Sequence, residues 1–119
     1  MIKILHSADL HLGARFHSLP PEEARARRQE QLAQLDQLVE LCREEGCQMV
    51  LLPGDLLDRP QGCREEALAL AKALEAMAVP VFIAPGNHDH LCPGSPYLER
   101  AWPGNVHIFT RQALESVTL

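Results

Sequence analysis

Three short polar clusters, each directly after an apolar run, hold the residues of this chain that could do chemistry. Asp9-Leu10-His11 follows Ile2-Lys3-Ile4-Leu5, and Gly54-Asp55-Leu56-Leu57-Asp58 follows Met49-Val50-Leu51-Leu52. Gly86-Asn87-His88-Asp89 comes after Val79-Pro80-Val81-Phe82-Ile83. Polar groups at strand ends converge when the strands are neighbours in a parallel sheet, because such sheets bind ligands at their carboxyl ends. Oxygen and nitrogen donors gathered there suit hard or borderline divalent metals. Residues two apart in an extended segment point the same way, so Asp9 and His11 can reach one ion. Asp55 follows a glycine that permits a tight turn and close backbone approach, and its two oxygens can bridge two ions. Asn87 can offer a neutral oxygen to a second ion. His88, next along the chain, can face a substrate as an acid or a charge stabiliser.

The remaining polar residues divide between structural and chemical readings. Asp58 and Asp89 can cap helices or turns, and for Asp89 capping is the stronger reading. Asp58 has a sharper alternative: hydrogen-bonded to His88, it would fix that imidazole's tautomer and raise its basicity. His6 and His107 lie on strands and read as structural. His17 and His90 lie on loops near the clusters, where a substrate-facing role stays open. Arg59 either contacts a phosphate or is solvated. Arg25, Arg27 and Arg28 sit early in a helix, where cations oppose the dipole. They either meet nucleic-acid phosphates or pair with Glu22, Glu23 and Glu30, and the pairing is favoured.

The elements that must position these residues follow from periodicity. A first strand covers Ile2 to His6. Pro20 and Pro21 open a helix whose first turn carries Glu22 and Glu23. Leu32, Leu35, Leu38, Val39 and Cys42 give it one apolar face, and Gly46 stands where a C-terminal cap is expected. The continuous apolar run Gln48 to Leu52 predicts a strand buried on both faces. A second helix runs from about Cys63 to Met77, with Leu68, Ala71, Leu74 and Met77 toward the core. Val79 to Ala84, Val106 to Phe109 and Leu114 to Leu119 read as further strands. Strand–helix–strand–helix–strand at this spacing predicts right-handed crossovers and a largely parallel sheet, hence an α/β domain.

Length and composition bound the function. The 119 residues fit one domain of ordinary size, and 46% apolar content belongs to a globular chain. The net charge of −5 argues against a generally basic nucleic-acid-binding surface. No apolar stretch approaches the roughly 20 residues of a membrane span, and the N-terminus does not resemble a signal peptide. Cys42, Cys47, Cys63 and Cys92 form no CxxC pair, which points to reduced thiols in a cytoplasmic protein.

In order, DxH, GDxxD and GNHD resemble the motifs of the calcineurin-like metallophosphoesterases. Within that superfamily, His6-Ser7-Ala8-Asp9-Leu10-His11-Leu12-Gly13 is similar to the opening of SbcD-type DNA repair exonucleases. The resemblance runs from Met1 to about Thr110. It implies the N-terminal half of an αββα sandwich, with 1–119 as part of a nuclease domain. It implies a two-metal phosphodiesterase, often manganese-dependent, acting on DNA beside an SMC-like ATPase. Asp9 and His11 would ligate the first metal, Asp55 would bridge, and Asn87 would ligate the second. His88 would assist ester cleavage, oriented by Asp58. Two such metals stabilise both the attacking and leaving oxygens.

Family members carry a further histidine and a GHxH pair downstream, and nothing after His90 matches them. The expectation is therefore a fragment with about half of the site, cleaving DNA poorly or not at all by itself and open to self-association through uncovered sheet. Gly54 to Arg59, GDLLDR, also resembles protein serine/threonine phosphatases, with Pro60 in place of their usual glycine. A phosphatase or small-molecule phosphodiesterase is thus the alternative enzyme, and a catalytically inert binding module the alternative of another class.

Overall fold

Pro20 and Pro21 set the start of α1 (Pro21–Glu45), since a first-turn proline sacrifices no intrahelical hydrogen bond. Glu22 and Glu23 occupy the first turn, and Gly46 closes the helix at φ 64° with its N–H donating to the Arg43 and Cys42 carbonyls. The helix buries Ala24, Leu35, Val39 and Cys42, with Leu32 and Leu38 half-buried beside them. In the computed structural model, which spans residues 1–119, this helix links β1 (Ile4–His6) to β2 (Met49–Pro53). α2 (Arg64–Met77) then leads to β3 (Val81–Ala84), and the one-turn α3 (Pro96–Glu99) precedes β4 (Val106–Ile108).

The four strands form one all-parallel sheet in the order β1-β2-β3-β4. Sequential order with right-handed crossovers places successive helices on the same face, and α1 packs against α2 there. Val50, Leu52, Val81 and Ile83 point into that layer and are buried, joined by Leu70, Leu74 and Met77 from α2.

Three expectations change. Burial of β2 on both faces does not occur: Val50 and Leu52 are buried, whereas Met49 and Leu51 on the opposite face are only half-buried. Leu68 is not a core residue. It is 42% exposed, because one step past the buried Ala67 turns it about 100° away from the stripe of Ala67, Leu70, Ala71 and Leu74. The segment Leu114 to Leu119 forms no strand. It turns back over the sheet instead, where Val117, Thr118 and Leu119 line a shallow hollow with Phe82 and His107, and His107 Nε2 lies 3.4 Å from Glu115 Oε1.

The face without helices carries His6, Leu51, Phe82 and Phe109. Phe82 and Phe109 stack at a ring separation of 6.2 Å, and His107 meets Phe109 edge-on at 4.7 Å. The hollow there is lined almost wholly by apolar groups.

The one-sided core separates two leucines that the sequence pattern treats alike. Leu74→Ala, at 1% exposure, is expected to cost about 2–5 kcal/mol of unfolding free energy. Leu68→Ala is expected to stay within about 0.5 kcal/mol of wild type. Urea unfolding followed by circular dichroism measures both, and equal losses would contradict the assignment of faces.

Candidate metal centre

The loops after β1 and β2 keep pairing beyond the strands proper, and this carries the first two clusters to one place. Asp9 N–H donates to the Gly54 carbonyl at 3.2 Å, His11 N–H to Asp55 at 3.0 Å, and Leu12 N–H to Leu56 at 2.9 Å. Asp58 N–H returns a bond to the Leu12 carbonyl at 2.9 Å. The path requires left-handed backbone at Asp9 (φ 55°), His11 (φ 46°) and Asp55 (φ 53°). Asp and His enter this region more readily than most residues, yet each such conformation costs of order 1–3 kcal/mol and persists only where surrounding bonds impose it. Gln31 of α1 adds to that constraint, its amide N–H group donating to the Leu10 and His11 carbonyls at 3.4 and 3.2 Å.

The third cluster is brought in by two glycines and a buried carboxylate. Gly54 turns at φ 90°, and a Cβ on it would stand 3.0 Å from the Gly86 Cα. A Cβ at Gly86 would lie 2.7 Å from the Asp55 backbone nitrogen. Only glycine at both positions allows the two loops to touch. Asp89, 1% exposed, binds across the contact. Its Oδ1 accepts from Gly86 N–H at 2.7 Å and Asp55 N–H at 3.1 Å. Its Oδ2 accepts from Leu56 N–H at 2.9 Å, Leu57 N–H at 3.3 Å and the Tyr97 hydroxyl at 2.5 Å. Asp89 therefore acts structurally, as capping anticipates, but its partners span both loops and α3 rather than one turn.

The resulting geometry gathers two overlapping donor sets. Donor atoms of Asp9, His11 and Asp55 lie within 4.8 Å of one another, and so do those of His11, Asp58 and His88. His11 belongs to both. Its Nε2 stands 3.9 Å from Asp9 Oδ1, and its Nδ1 stands 3.5 Å from Asp58 Oδ1. The imidazoles of His11 and His88 meet edge-to-face at 4.8 Å. Asp55 Oδ1 accepts from His88 N–H at 2.8 Å, so the second and third clusters are directly bonded.

Asn87 stands exposed between Gly86 and His88, both tied down through their N–H groups, and its carbonyl oxygen lies 3.0 Å from His90 Nδ1. Asp58 and His88 make no direct hydrogen bond; the imidazole that Asp58 approaches within ion-pair range is that of His11. Arg59 donates to the Gly13 carbonyl at 2.9 Å and lies 3.8 Å from Asp58, so it is held by the protein. Arg27 pairs with Glu30 at 3.1 Å, and Arg28 donates to the Arg15 carbonyl at 3.1 Å. Of the remaining histidines, His17 and His90 are exposed on loops, His6 is on β1, and His107 is on β4.

Carboxylates and imidazoles at these separations fit a divalent cation of borderline character, which takes both oxygen and nitrogen ligands. The Asp9 and Asp55 carboxylates share one of these sets, and two like charges so close favour a cation between them.

Sequence comparison agrees with the geometry. A family model for calcineurin-like phosphoesterases matches residues 2–118. The chain belongs to that family. It is 34% identical over 115 residues to an uncharacterized metallophosphoesterase, YhaO, of Bacillus subtilis, covering 92% of this chain and 28% of that protein. It is 39% identical over 92 residues to the DNA double-strand break repair protein Mre11 of Aeropyrum pernix, covering 75% of this chain and 21% of that protein. The corresponding protein of Halobacterium salinarum is 32% identical over 92 residues, with 75% and 22% covered. The chain thus spans less than a third of the length of these relatives.

Two residues that shape the site gave no local signal in the sequence. Gln31 lies mid-helix, and Tyr97 lies in a one-turn helix that periodicity is too short to reveal. Both act through contacts more than seven residues away.

Burial, and then the bond to Asp89, pushes the Tyr97 hydroxyl well above its ordinary value near 10. A raised folded-state value means the contribution is fully present below pH 10 and is lost as pH rises beyond it, where the unfolded chain ionises and the folded one does not. Tyr97 is the only tyrosine, so wild type is expected to lose about 1.4 kcal/mol per pH unit above pH 10 relative to Tyr97→Phe. Urea unfolding from pH 9 to 11.5 checks this; parallel curves would refute it.

Proposed function

We propose that this chain carries part of the site of a metal-dependent phosphodiesterase that acts on DNA. The observation that supports it best is the meeting of two donor sets at His11, on the carboxyl edge of three adjacent parallel strands. In this reading Asp9, His11 and Asp55 would hold one divalent ion, Asp55 would also serve a second to which Asn87 adds a neutral oxygen, and the metal would be manganese. A bound metal ion of this kind polarises phosphoryl oxygens and makes water a better nucleophile.

The chain's own residues do the rest. His88 is exposed beside the carboxylates, where a substrate phosphodiester can reach it. Its imidazole is placed to give a proton to the departing ester oxygen as the phosphorus–oxygen bond breaks. Its backbone N–H, bonded to Asp55, keeps that imidazole at a fixed distance from the metal-binding carboxylate. Asp58 orients the imidazole pair, acting on His11 at 3.5 Å and through it on His88.

DNA as substrate is favoured by two relatives named for double-strand break repair, and by the HSADLHLG opening. The same resemblance extends the proposal to an SMC-like ATPase partner and to work in the cytoplasm, within a protein of its relatives' length. A phosphatase or small-molecule phosphodiesterase is the second reading, favoured by the GDLLDR run and by a relative 34% identical over 115 residues whose name specifies no substrate. The apolar helix-free face of the sheet also favours self-association of the 119-residue chain at high concentration.

With three protein ligands and water completing its shell, manganese is expected to bind the 119-residue chain weakly, and Asp55→Ala to abolish binding. Isothermal titration measures both. Binding that survives Asp55→Ala would overturn the metal assignment. Manganese-dependent cleavage of double-stranded DNA, phosphoprotein and cyclic nucleotide by a protein of the relatives' length then separates the substrates. Turnover of the phosphoprotein or the nucleotide alone would overturn the DNA reading, and robust nuclease activity from the 119-residue chain would overturn the view that it holds only part of the site.

A further inference from the structure

The Asp89 carboxylate offers about four lone-pair sites, and it is met by four backbone N–H groups and one phenol. Its backbone partners belong to Asp55, Leu56, Leu57 and Gly86, all within the two loops that hold Asp55 and His88. The phenol is different in kind. It comes from α3, outside the motif loops, and makes the shortest of the five contacts. Tyr97 is itself 5% exposed, seated on Trp102 at a ring separation of 5.7 Å, with α3 capped by Ser95 and tied through the Trp102 indole N–H to the Pro96 carbonyl. The hydroxyl is thus carried on a buried, hydrogen-bonded support and donates to one oxygen of a buried carboxylate.

We infer that Tyr97 is a positioning residue for the candidate metal centre: its hydroxyl fixes Asp89, and Asp89 fixes the spacing between Asp55 and His88. Asp89 Oδ2 faces the β2 loop and Oδ1 faces both loops. A rotation of the carboxylate would lengthen the Gly86 and Asp55 bonds together. The Tyr97 hydroxyl is the one side-chain donor holding it against that rotation. Asp55 would then lose the backbone restraint that presents one oxygen to His88 N–H and leaves the other free. The centre's geometry therefore depends on a side chain ten residues downstream of Asn87 that touches none of the donors itself.

The test is Tyr97→Phe in the 119-residue chain, which removes one oxygen and keeps the ring against Trp102. Amide hydrogen exchange by NMR is read at Asp55, Leu56 and Gly86, with Val50 and Val81, bonded within the sheet region at 2.9 and 2.8 Å, as internal references. Loss of a hydrogen bond to a charged group is expected to speed exchange at the loop amides about tenfold, with less than about a twofold change at the references. Manganese affinity, followed by paramagnetic broadening, is expected to weaken about tenfold, as for other residues that orient metal ligands. Equal acceleration at every amide would reduce Tyr97 to an ordinary stabilising residue and overturn the proposal. So would unchanged exchange at the loops, or unchanged manganese affinity. The affinity arm rests on the metal reading above. A wild-type chain that takes up no manganese would sink that reading, and the exchange pattern would then decide the role of Tyr97 alone.

Discussion

A buried carboxylate without enough donors is among the most costly arrangements a fold can contain, and this structure is organised around satisfying one. Asp89 lies between the ends of β2 and β3 at 1% exposure, and its two oxygens are met from three separate segments. Donors from both loops are needed to meet its two oxygens, so burying the charge and bringing the loops together go hand in hand. That requirement explains the glycines at 54 and 86, whose backbones touch in the space a Cβ would fill. It also explains why a tyrosine several residues downstream is buried with its hydroxyl pointing inward.

The convergence has a cost that the fold offsets with backbone bonds. Asp9, His11 and Asp55 all take left-handed conformations, and the Asp9 and Asp55 carboxylates lie close together at one edge of the sheet. The ladder of bonds between the loops after β1 and β2, reinforced by Gln31, holds them there. Strain and like-charge repulsion concentrated in donor residues are what a cation-binding site is expected to store, because the bound ion returns the electrostatic part. The bonds that gather these donors all come from the protein's own loops and from α1.

The sheet is finished on one side only. Helices α1 and α2 cover Val50, Leu52, Val81 and Ile83, while Leu51, Phe82 and Phe109 line the other face, where no helix packs and only Val117 to Leu119 come beside Phe82. Parallel sheets are ordinarily covered on both faces. The alternation of buried and half-buried residues along β2 and β3 is the direct record of this asymmetry.

By itself the sequence determined the α/β class, the order of the first five elements, and the three clusters that meet at the sheet's edge. These are properties of local pattern: apolar runs, proline and glycine at helix ends, and polar residues at strand ends. It misjudged Leu68 and the segment from Leu114 to Leu119, where apolar residues satisfy a pattern without a neighbour to pack against. Only the tertiary structure decided which face of the sheet is covered, that Asp58 lies nearest His11, and that Asp89 and Tyr97 hold the loops together. The physical reason is range. Helix and strand signals repeat within a few residues, whereas a carboxylate's partners are chosen by whichever donors the packed chain brings within about 3 Å, and those lie up to 34 residues away.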